Sequence, residues 1–481
     1  MLPNNLKYQP KVESAPARRY KTNIQPQNGQ GPYTQGNTII INIPTRNNTA
    51  LIPSESNLKF TGTYTPSATA VIQALESCGH HGWINRLRVF HGSNLLQDIQ
   101  DYHQLAKILY DFQMPNDSVA GRYSLTSGTT NEFTGGLLTA TSGTVANGDA
   151  LVVKPVNRGR NFISGTVAGA ATQVTFNASI NLISLVGALA GGKYLPLWEM
   201  TSAPLRVELV LQNSIANVMN FNAGTPTNGA FSLSNVEYVG EFLELPDSAI
   251  AAIRAGSSNP LQMVIPDYRS YTFSQALTTS TNNIAMPIPA KFSSLKSIFV
   301  NQRLSTGAVG LYPCASGRIG LSQYQFRIGS EVLPSTAPTV LSDIFGEAAK
   351  CFGSIADINY QPSIDLDSYA PDEGLTVSAT TGAFQASYNV AATGCPAVAL
   401  TTYNAGQTSN SGSFLVGIDL ESYQNAEKGS IFAGMNTNTS DIFFNSQYIP
   451  MSATGQTLLL TAFANYDSVL VCENGVAYTR Y

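Results

Sequence analysis

A chain of 481 residues, of which 43% are hydrophobic and only 12% charged, is too long for one hydrophobic core and carries about half the charge of an average soluble protein. Serine, threonine, asparagine, glutamine and glycine replace the missing charges. This composition favours a surface that packs against copies of itself, although a β-rich binding protein would share it. The formal net charge of −4 excludes a chain that is basic overall, as nucleic-acid-binding proteins often are.

Five cysteines are scattered along the chain without any Cys-x-x-Cys pair: Cys78, Cys314, Cys351, Cys395 and Cys472. Their odd number and wide spacing predict reduced thiols, and therefore a cytosolic or nuclear location rather than a secreted disulfide scaffold. The opening MLPNNLKYQP has no apolar segment of the kind that a secretory leader needs. No apolar run approaches the ~18 residues of a membrane-spanning helix, so we expect neither a leader nor a span.

The first predicted element, residues 1–36, is a flexible basic N-terminal arm that lacks apolar periodicity. One acid, Glu13, stands against five basic residues, which are Lys7, Lys11, Arg18, Arg19 and Lys21. A disordered tail without a partner would have the same composition. Outside the arm there is no basic patch with interleaved aromatic residues, and we therefore expect no sequence-specific binding of nucleic acid.

Short apolar segments of strand length follow the arm and are separated by clusters of small polar residues. They include 37–43, 86–90, 205–211, 297–300, 414–420 and 458–463. In 205–211 the side-chain period of two places Arg206 and Glu208 on one face, as expected for a strand with its other face buried. Most of the chain is therefore predicted to be β-structure.

Helical patterns are few. Residues 98–112 carry apolar side chains at helical spacing, and 247–255 opens with the capping residue Asp247 and stops at Gly256. These two segments predict short helical insertions in an all-β chain.

The most informative feature is an internal duplication, in which three segments recur in the same order at offsets of 236, 237 and 238 residues. The pairs are Ile52-Pro53 before Leu58-Lys59 with Ile288-Pro289 before Leu295-Lys296, LRVFHGSNLL (87–96) with YQFRIGSEVL (324–333), and ASINLI (178–183) with VGIDLE (416–421). Each copy of the second pair continues into a predicted helix that ends in an aromatic residue, Phe112 or Phe352. LRVELVL (205–211) and LLLTAFA (458–464) are expected to close the two halves.

The duplication predicts two copies of one β-domain, at 37–246 and 265–481, joined by a linker helix and loop at 247–264. Each copy has a long polar insertion, at 121–150 and at 374–413. Enzyme lids of this length usually bring polar catalytic groups, whereas these insertions bring hydroxyls and glycine, which favours exposed decoration.

Three segments contain residue types found in phosphate-binding or metal-binding sites. The spacing from Gly187 to Lys193 matches a phosphate-binding loop, but Tyr194 stands where magnesium coordination needs serine or threonine, and Pro196 blocks the helix that the motif requires. A glycine-rich turn is therefore the favoured interpretation of this segment.

Four histidines lie within 24 residues, near Cys78: His80, His81, His91 and His103. Their spacing matches no known metal site, and adjacent histidines on a strand would point to opposite faces, so surface or loop histidines are favoured. The acidic loop 365–373, with Asp365, Asp367, Asp372 and Glu373, lacks the twelve-residue calcium pattern, and whether it binds a cation is left open. No nucleophile elbow or zinc-protease motif occurs, and we expect no catalytic residue, metal or cofactor.

The duplicated segments 87–112 and 324–352 resemble those of the double jelly-roll major capsid proteins of tailless icosahedral DNA viruses, the lineage of PRD1-like, adenovirus-like, virophage and Polinton-like capsids. GGKYLPLW (191–198), NVEYVGEFLELP (235–246) and the closing ANYDSVLVCENGVAYTRY (464–481) carry the same resemblance. The match extends over most of the chain, although each motif is loose.

This resemblance implies a fold of two tandem eight-stranded jelly rolls and a role as the major capsid protein of a virion. Three chains would form a homotrimer with a pseudo-hexagonal outline, which would tile an icosahedral shell together with neighbouring trimers, penton proteins and minor capsid proteins. The insertions would form outer towers, and the arm (Lys7, Lys11, Arg18, Arg19, Lys21) would reach neighbouring subunits or inner-face components.

Three alternatives remain. A non-viral β-sandwich binding or adhesion protein would be expected to show a leader or paired cysteines. A single-jelly-roll capsid protein with a projection domain would not be expected to show the paired offsets. An enzyme on a jelly-roll scaffold would need convergent carboxylates or a histidine cluster inside one domain.

Overall fold

The computed structural model describes residues 17–66, 73–75, 78–115, 118, 122–128, 162–164, 173–221, 229–257, 260–305, 314, 316–353, 364, 369–370, 375–377, 384–386, 412–423, 432–451 and 455–481. Strands dominate these ranges, as the alternating patterns predict.

The strands of the first half are β1 (Arg18–Ile24), β2 (Tyr33–Thr34), β3 (Thr38–Ile43), β4 (Thr49–Leu51), β5 (Asn57–Pro66), β6 (Gln73–Leu75), β7 (Ile84–His91), β8 (Asn94–Ile99), β9 (Phe162–Ser164), β10 (Val174–Ile180), β11 (Leu205–Leu211), β12 (Met219–Phe221) and β13 (Gly229–Glu244). One sheet has the order β1-β13-β5-β10, with β2 and β4 also paired to β13, and a second has the order β3-β11-β7-β8. The eight strands of these two paths are lettered B to I in chain order, from β1 (B) to β13 (I). The strand orders of the two sheets are then B-I-D-G and C-H-E-F. This order is that of a jelly roll.

The strands of the second half are β14 (Leu261–Ala276), β15 (Asn282–Ile288), β16 (Leu295–Leu304), β17 (Leu321–Ile328), β18 (Glu331–Leu333), β19 (Leu375–Val377), β20 (Phe384–Ala386), β21 (Leu415–Asp419), β22 (Ile442–Tyr448), β23 (Thr457–Glu473) and β24 (Val476–Arg480). Its sheets have the orders β14-β23-β16-β21, with β24 added to β23, and β15-β22-β17-β18. Both halves therefore have the same topology.

The duplicated segments occupy equivalent places in the two halves. Leu58 lies near the start of β5 and Leu295 begins β16, the D strands. Gly92 and Gly329 form the turns between the E and F strands, and both have a φ of +59°, a left-handed conformation that glycine adopts without steric cost. The turn glycine thus marks the same point in each jelly roll.

One predicted pair is wrong. LLLTAFA (458–464) lies in β23, the I strand, whereas the counterpart of β11 is β22, which begins 237 residues after it. The sequence misled because β23 is buried on both faces along much of its length and reads as a continuous apolar run, while β22 alternates buried and half-buried residues.

The helices are α1 (Tyr102–Gln113), α2 (Arg122–Thr126), α3 (Asp247–Gly256) and α4 (Leu341–Lys350). Helices α1 and α4 both follow the F strand of their half. The helix predicted from residue 98 begins at 102 instead, because 94–99 form β8 and Asp101 takes a left-handed φ of +50°. In α3, Asp247 is the first helical residue rather than the cap, a position that Pro246 occupies.

Part of the predicted arm is wrong. Arg18–Ile24 form β1, an antiparallel partner of β13, and Tyr33–Thr34 form β2 on the same strand. Lys7 and Lys11 lie outside the described residues. The predicted linker 247–264 is also too long, because β14 already begins at Leu261.

The largest apolar cluster includes buried residues of both halves, and Ala50, Trp198 and Ile250 form a smaller one. The predicted aromatic ends of the two helical segments meet across the junction, with the rings of Phe112 and Phe352 stacked 5.1 Å apart between their centroids. Phe345 and Tyr369 complete this aromatic cluster around Phe112. Each such ring pair stabilises the fold by roughly 1 kcal/mol beyond the free energy gained from burying the rings. These contacts favour a fixed orientation of one half relative to the other.

Candidate functional site

The candidate site is the junction between the two halves, where several polar groups are buried. Gln97 on β8 donates from Nε2 to Oδ1 of Asp267 on β14 over 2.8 Å, and its Oε1 accepts the backbone N–H of Leu185. The hydroxyl of Tyr466 donates to the other oxygen of Asp267 over 2.6 Å, and the backbone N–H of Tyr268 donates to Oδ1. The carboxyl group of Asp267 is therefore saturated with donors from both halves.

Burial raises the pKa of Asp267 to about 6, although the donors from Tyr466 and Gln97 oppose this shift. Burial dominates because a carboxylate loses most of its hydration there. The carboxyl group of Asp267, which links the two halves, is thus expected to change its protonation state just below neutral pH.

A buried ion pair makes the second contact. Lys107 and Asp111, one turn apart on α1, are joined over 2.8 Å, and both lie almost entirely out of solvent. Ser413 of the second half accepts a hydrogen bond from Lys107 over 2.8 Å and donates one to Asp111 over 2.6 Å. Because buried charges need partners, this arrangement holds Ser413 against α1.

The last strand, β24, makes the third contact. His91 accepts the backbone N–H of Ala477 at Nδ1 over 3.0 Å, and Asn94 donates to the carbonyl of Ala477 over the same distance. Next to it, the backbone N–H of Ser202 donates to the carbonyl of Gly475. The turn between the E and F strands of the first half therefore caps the C-terminal strand of the second.

The glycine-rich segment 187–193 forms a turn. Ala188–Ala190 make one 3₁₀ turn, and Gly191 and Gly192 are left-handed. Lys193 donates to the carbonyl of Val264 on β14 over 2.9 Å. The lysine that a phosphate-binding loop would direct at a phosphate therefore serves the junction instead.

The expectation of surface histidines is wrong. His80, His81, His91 and His103 are all buried, and His80 and His81 lie in a 3₁₀ helix, Gly79–Trp83, rather than on a strand. The alternation of side chains along a strand, on which the prediction depended, therefore does not apply to His80 and His81. Within the described part of the chain, no group of three or more histidine, cysteine, aspartate or glutamate side chains is placed to hold a metal ion.

His80 and His81 make contacts within the first half. His81 lies between the hydroxyls of Tyr102 and Tyr110, at 2.9 and 3.0 Å from its two nitrogens. His80 accepts from the indole N–H of Trp83 and stacks on Phe176 with centroids 4.5 Å apart. Burial lowers the pKa values of His80, His81 and His103 to about 3, so these three rings are neutral in the folded protein.

The basic residues of β1 are partly used within the sheet. Arg19 forms ion pairs with Glu55 and with Glu241, the latter over 3.1 Å, and Lys21 is in register with Glu241. Arg19 is therefore engaged within the sheet, although about half of its side chain is exposed. Asp365, Asp367, Asp372 and Glu373 lie outside the described residues.

Sequence reasoning missed the junction. Gln97 and Asp267 are 170 residues apart, and no motif connects them. The available signal was a charged pair, Lys107 and Asp111, inside an otherwise apolar helical pattern. No helix within the described ranges is long and apolar enough to cross a membrane.

No protein-family model matches the sequence, and no curated protein matches it significantly. Solved structures do match along its whole length. The mavirus major capsid protein is 12% identical with a TM-score of 0.57, and the match covers 100% of this chain and 93% of that one. A chain of the Sputnik virophage is 12% identical with a TM-score of 0.60, covering 100% and 91%. The Faustovirus major capsid protein is 9% identical with a TM-score of 0.55, covering 98% and 93%.

The fold is a double jelly roll. Matches over both full lengths, together with the repeated strand order, confirm the fold class that the duplicated segments predicted. At these identities the likeness concerns the path of the chain and carries no individual residue.

Proposed function

We propose that this protein is the major capsid protein of an icosahedral virus and is a structural subunit rather than an enzyme. The observation that carries the proposal is the pair of topologically equal jelly rolls joined by a buried, hydrogen-bonded junction. Two similar units held rigidly side by side give three chains six nearly equivalent edges. A trimer of this kind has a hexagonal outline and can tile a closed shell.

The full-length similarity to capsid proteins of mavirus and Faustovirus supports this assignment. The low charge content supports it too, because lateral contacts between copies need surfaces with little repulsion. The subunit is located in the virion shell and assembles in the host cytoplasm or nucleus. Its domain division is 37–246 and 265–481, with β1 and β2 as additional strands of the first unit and the start of β14, from Leu261, added to the second.

The partners follow from this role. Neighbouring trimers, penton proteins and minor capsid proteins surround each trimer, and the basic residues Lys7 and Lys11 extend to a neighbouring subunit or an inner-face component. In a capsid, the insertions 121–150 and 374–413 decorate the outer face.

The test is the oligomeric state of the purified protein. Light scattering is expected to give about three times the chain mass of 51.3 kDa, and negative-stain images are expected to show hexagonal outlines. A monodisperse monomer with affinity for glycans would overturn the proposal in favour of a binding protein.

A further inference from the structure

Strand pairing identifies equivalent residues on the two B strands. Ile24 on β1 is in register with Tyr238, which is in register with Leu58. Asp267 on β14 is in register with Tyr466, which is in register with Leu295. Since Leu58 and Leu295 are duplicated residues, Ile24 is the counterpart of Asp267, at an offset of 243.

The same offset relates the whole strands. β1 and β14 begin at Arg18 and Leu261, each opposite the far end of its I strand. One face of β1, here called the assembly face, carries Arg18, Tyr20, Thr22 and Ile24. Its counterpart on β14 carries Leu261, Met263, Ile265 and Asp267.

The two faces differ in what covers them. On β14, Ile265 and Asp267 are each only 4% exposed, because β8 of the first half packs there through Gln97. On β1, the counterpart Thr22 is exposed and Ile24 is half-buried. Tyr20 and Ile24 pack against the apolar core, and Tyr20 stacks on Phe242. The first jelly roll thus leaves partly exposed the surface that the second jelly roll has buried.

Strand β8, which covers β14, corresponds to β18 in the second half, and β18 is more exposed. In the E strands, Val89 is opposite Gln97 and its counterpart Phe326 is opposite Leu333, because β8 has a bulge at Leu96. Leu333, the last residue of β18, is therefore the counterpart of Gln97, and Pro334 follows it. Leu96 and Gln97 are each 4% exposed, whereas Leu333 and Pro334 are partly exposed. β18 is also an edge strand of its sheet.

We propose that β18 of one copy, through Leu333, covers the assembly face of β1 in a second copy, repeating between chains the contact that β8 and β14 make within one chain. The inference rests on the proposed capsid trimer and names its interface. A contact of this head-to-tail kind closes into a ring when three copies complete the rotation.

The chemistry of the equivalent positions fits this difference. Within the chain the meeting pair is polar, Gln97 with Asp267, whereas between chains the equivalent pair is apolar, Leu333 with Ile24. A free subunit must expose its assembly face to water before it associates. Apolar residues there leave no buried polar group unpaired when the contact forms imperfectly or opens.

The first experiment compares the two faces of β1. Ile24→Arg and Thr22→Arg place a charge on the assembly face, and Asn23→Arg, the matched control, places the same charge on the opposite face beside Glu237. We expect the first two variants to weaken association by about a hundredfold or more, as judged by light scattering, and the control to remain trimeric. Thr22 is exposed in the free chain, so its substitution tests the interface without disturbing the fold.

The second experiment detects the contact directly. Ile24→Cys and Ser335→Cys chains, carrying different tags, are mixed, assembled and treated with a short bis-maleimide, with the wild-type chain and its native cysteines as background. Covalent dimers that contain both tags are expected, and Asn23→Cys in place of Ile24→Cys is expected to give far fewer. A monomeric wild type overturns both the function and the interface. A trimeric wild type whose Ile24→Arg and Thr22→Arg variants stay trimeric and whose cysteine pair does not cross-link overturns the interface alone.

Discussion

Acidification is expected to destabilise the folded chain because three neutral histidines are buried in it. His80, His81 and His103 have pKa values lowered to about 3 by burial, whereas an unfolded histidine titrates near its ordinary value of about 6.5. Below pH 6.5 the unfolded chain therefore binds protons that the folded chain does not. The free energy of unfolding falls as the pH falls through this window.

The size of the effect follows from the pKa values. Between pH 7 and pH 5 each of the three histidines costs about 2 kcal/mol of stability, or about 6 kcal/mol together. Asp267 acts in the opposite direction, because its pKa is raised and the folded state takes up its proton first, which returns roughly 1 kcal/mol by pH 5. The net loss of about 5 kcal/mol approaches the whole stability of many domains.

Urea unfolding at pH 7, 6 and 5, followed by tyrosine and tryptophan fluorescence, measures this loss. Light scattering verifies that the oligomeric state is the same at each pH. The variant His103→Asn removes one of the three titrating rings. Its free energy of unfolding is expected to fall by about 2 kcal/mol less than that of the wild type over the same range. If the wild type loses less than about 1 kcal/mol between pH 7 and pH 5, the three rings are solvated or charged in the folded protein and the reasoning fails.

Three further predictions concern the junction. Asp267→Asn removes a buried carboxylate whose ionisation destabilises the folded state. From pH 4 to pH 7, the free energy of unfolding of this variant should therefore rise relative to that of the wild type by up to about 3 kcal/mol. Plots of the free energy of unfolding, from urea, against pH that run parallel for the two proteins would contradict this. Lys107→Met leaves the buried carboxylate of Asp111 without its cation and should cost about 3–5 kcal/mol in urea unfolding, whereas the double variant Lys107→Met with Asp111→Leu should cost far less; equal losses would argue against a coupled pair. Deleting 476–481 removes Ala477, the partner of His91 and Asn94 on β24, and should speed limited proteolysis at 257–260 between the halves; an unchanged cleavage rate would mean that β24 does not hold the junction.

The fold was largely predictable because a jelly roll constrains its sequence. Eight strands of set order, repeated in one chain, produced the near-constant offset of about 237 that connects Gly92 with Gly329 and β11 with β22. Alternation also located Arg206 and Glu208 on one face, where they form an ion pair over 3.1 Å. Local patterns of this kind depend on the backbone period and on turn geometry, both of which neighbouring residues determine.

The tertiary structure alone decided the rest. The I strand β23 was confused with an H strand because burial on both faces erases alternation. The histidines were expected at the surface because nothing near them in the sequence reveals the tyrosines that pair with His81. Gln97 meets Asp267 only once both jelly rolls are complete, because the register of distant strands is set by packing. The sequence by itself thus determined two copies of one β-fold, whereas their junction was decided by contacts between residues that only the folded chain brings together.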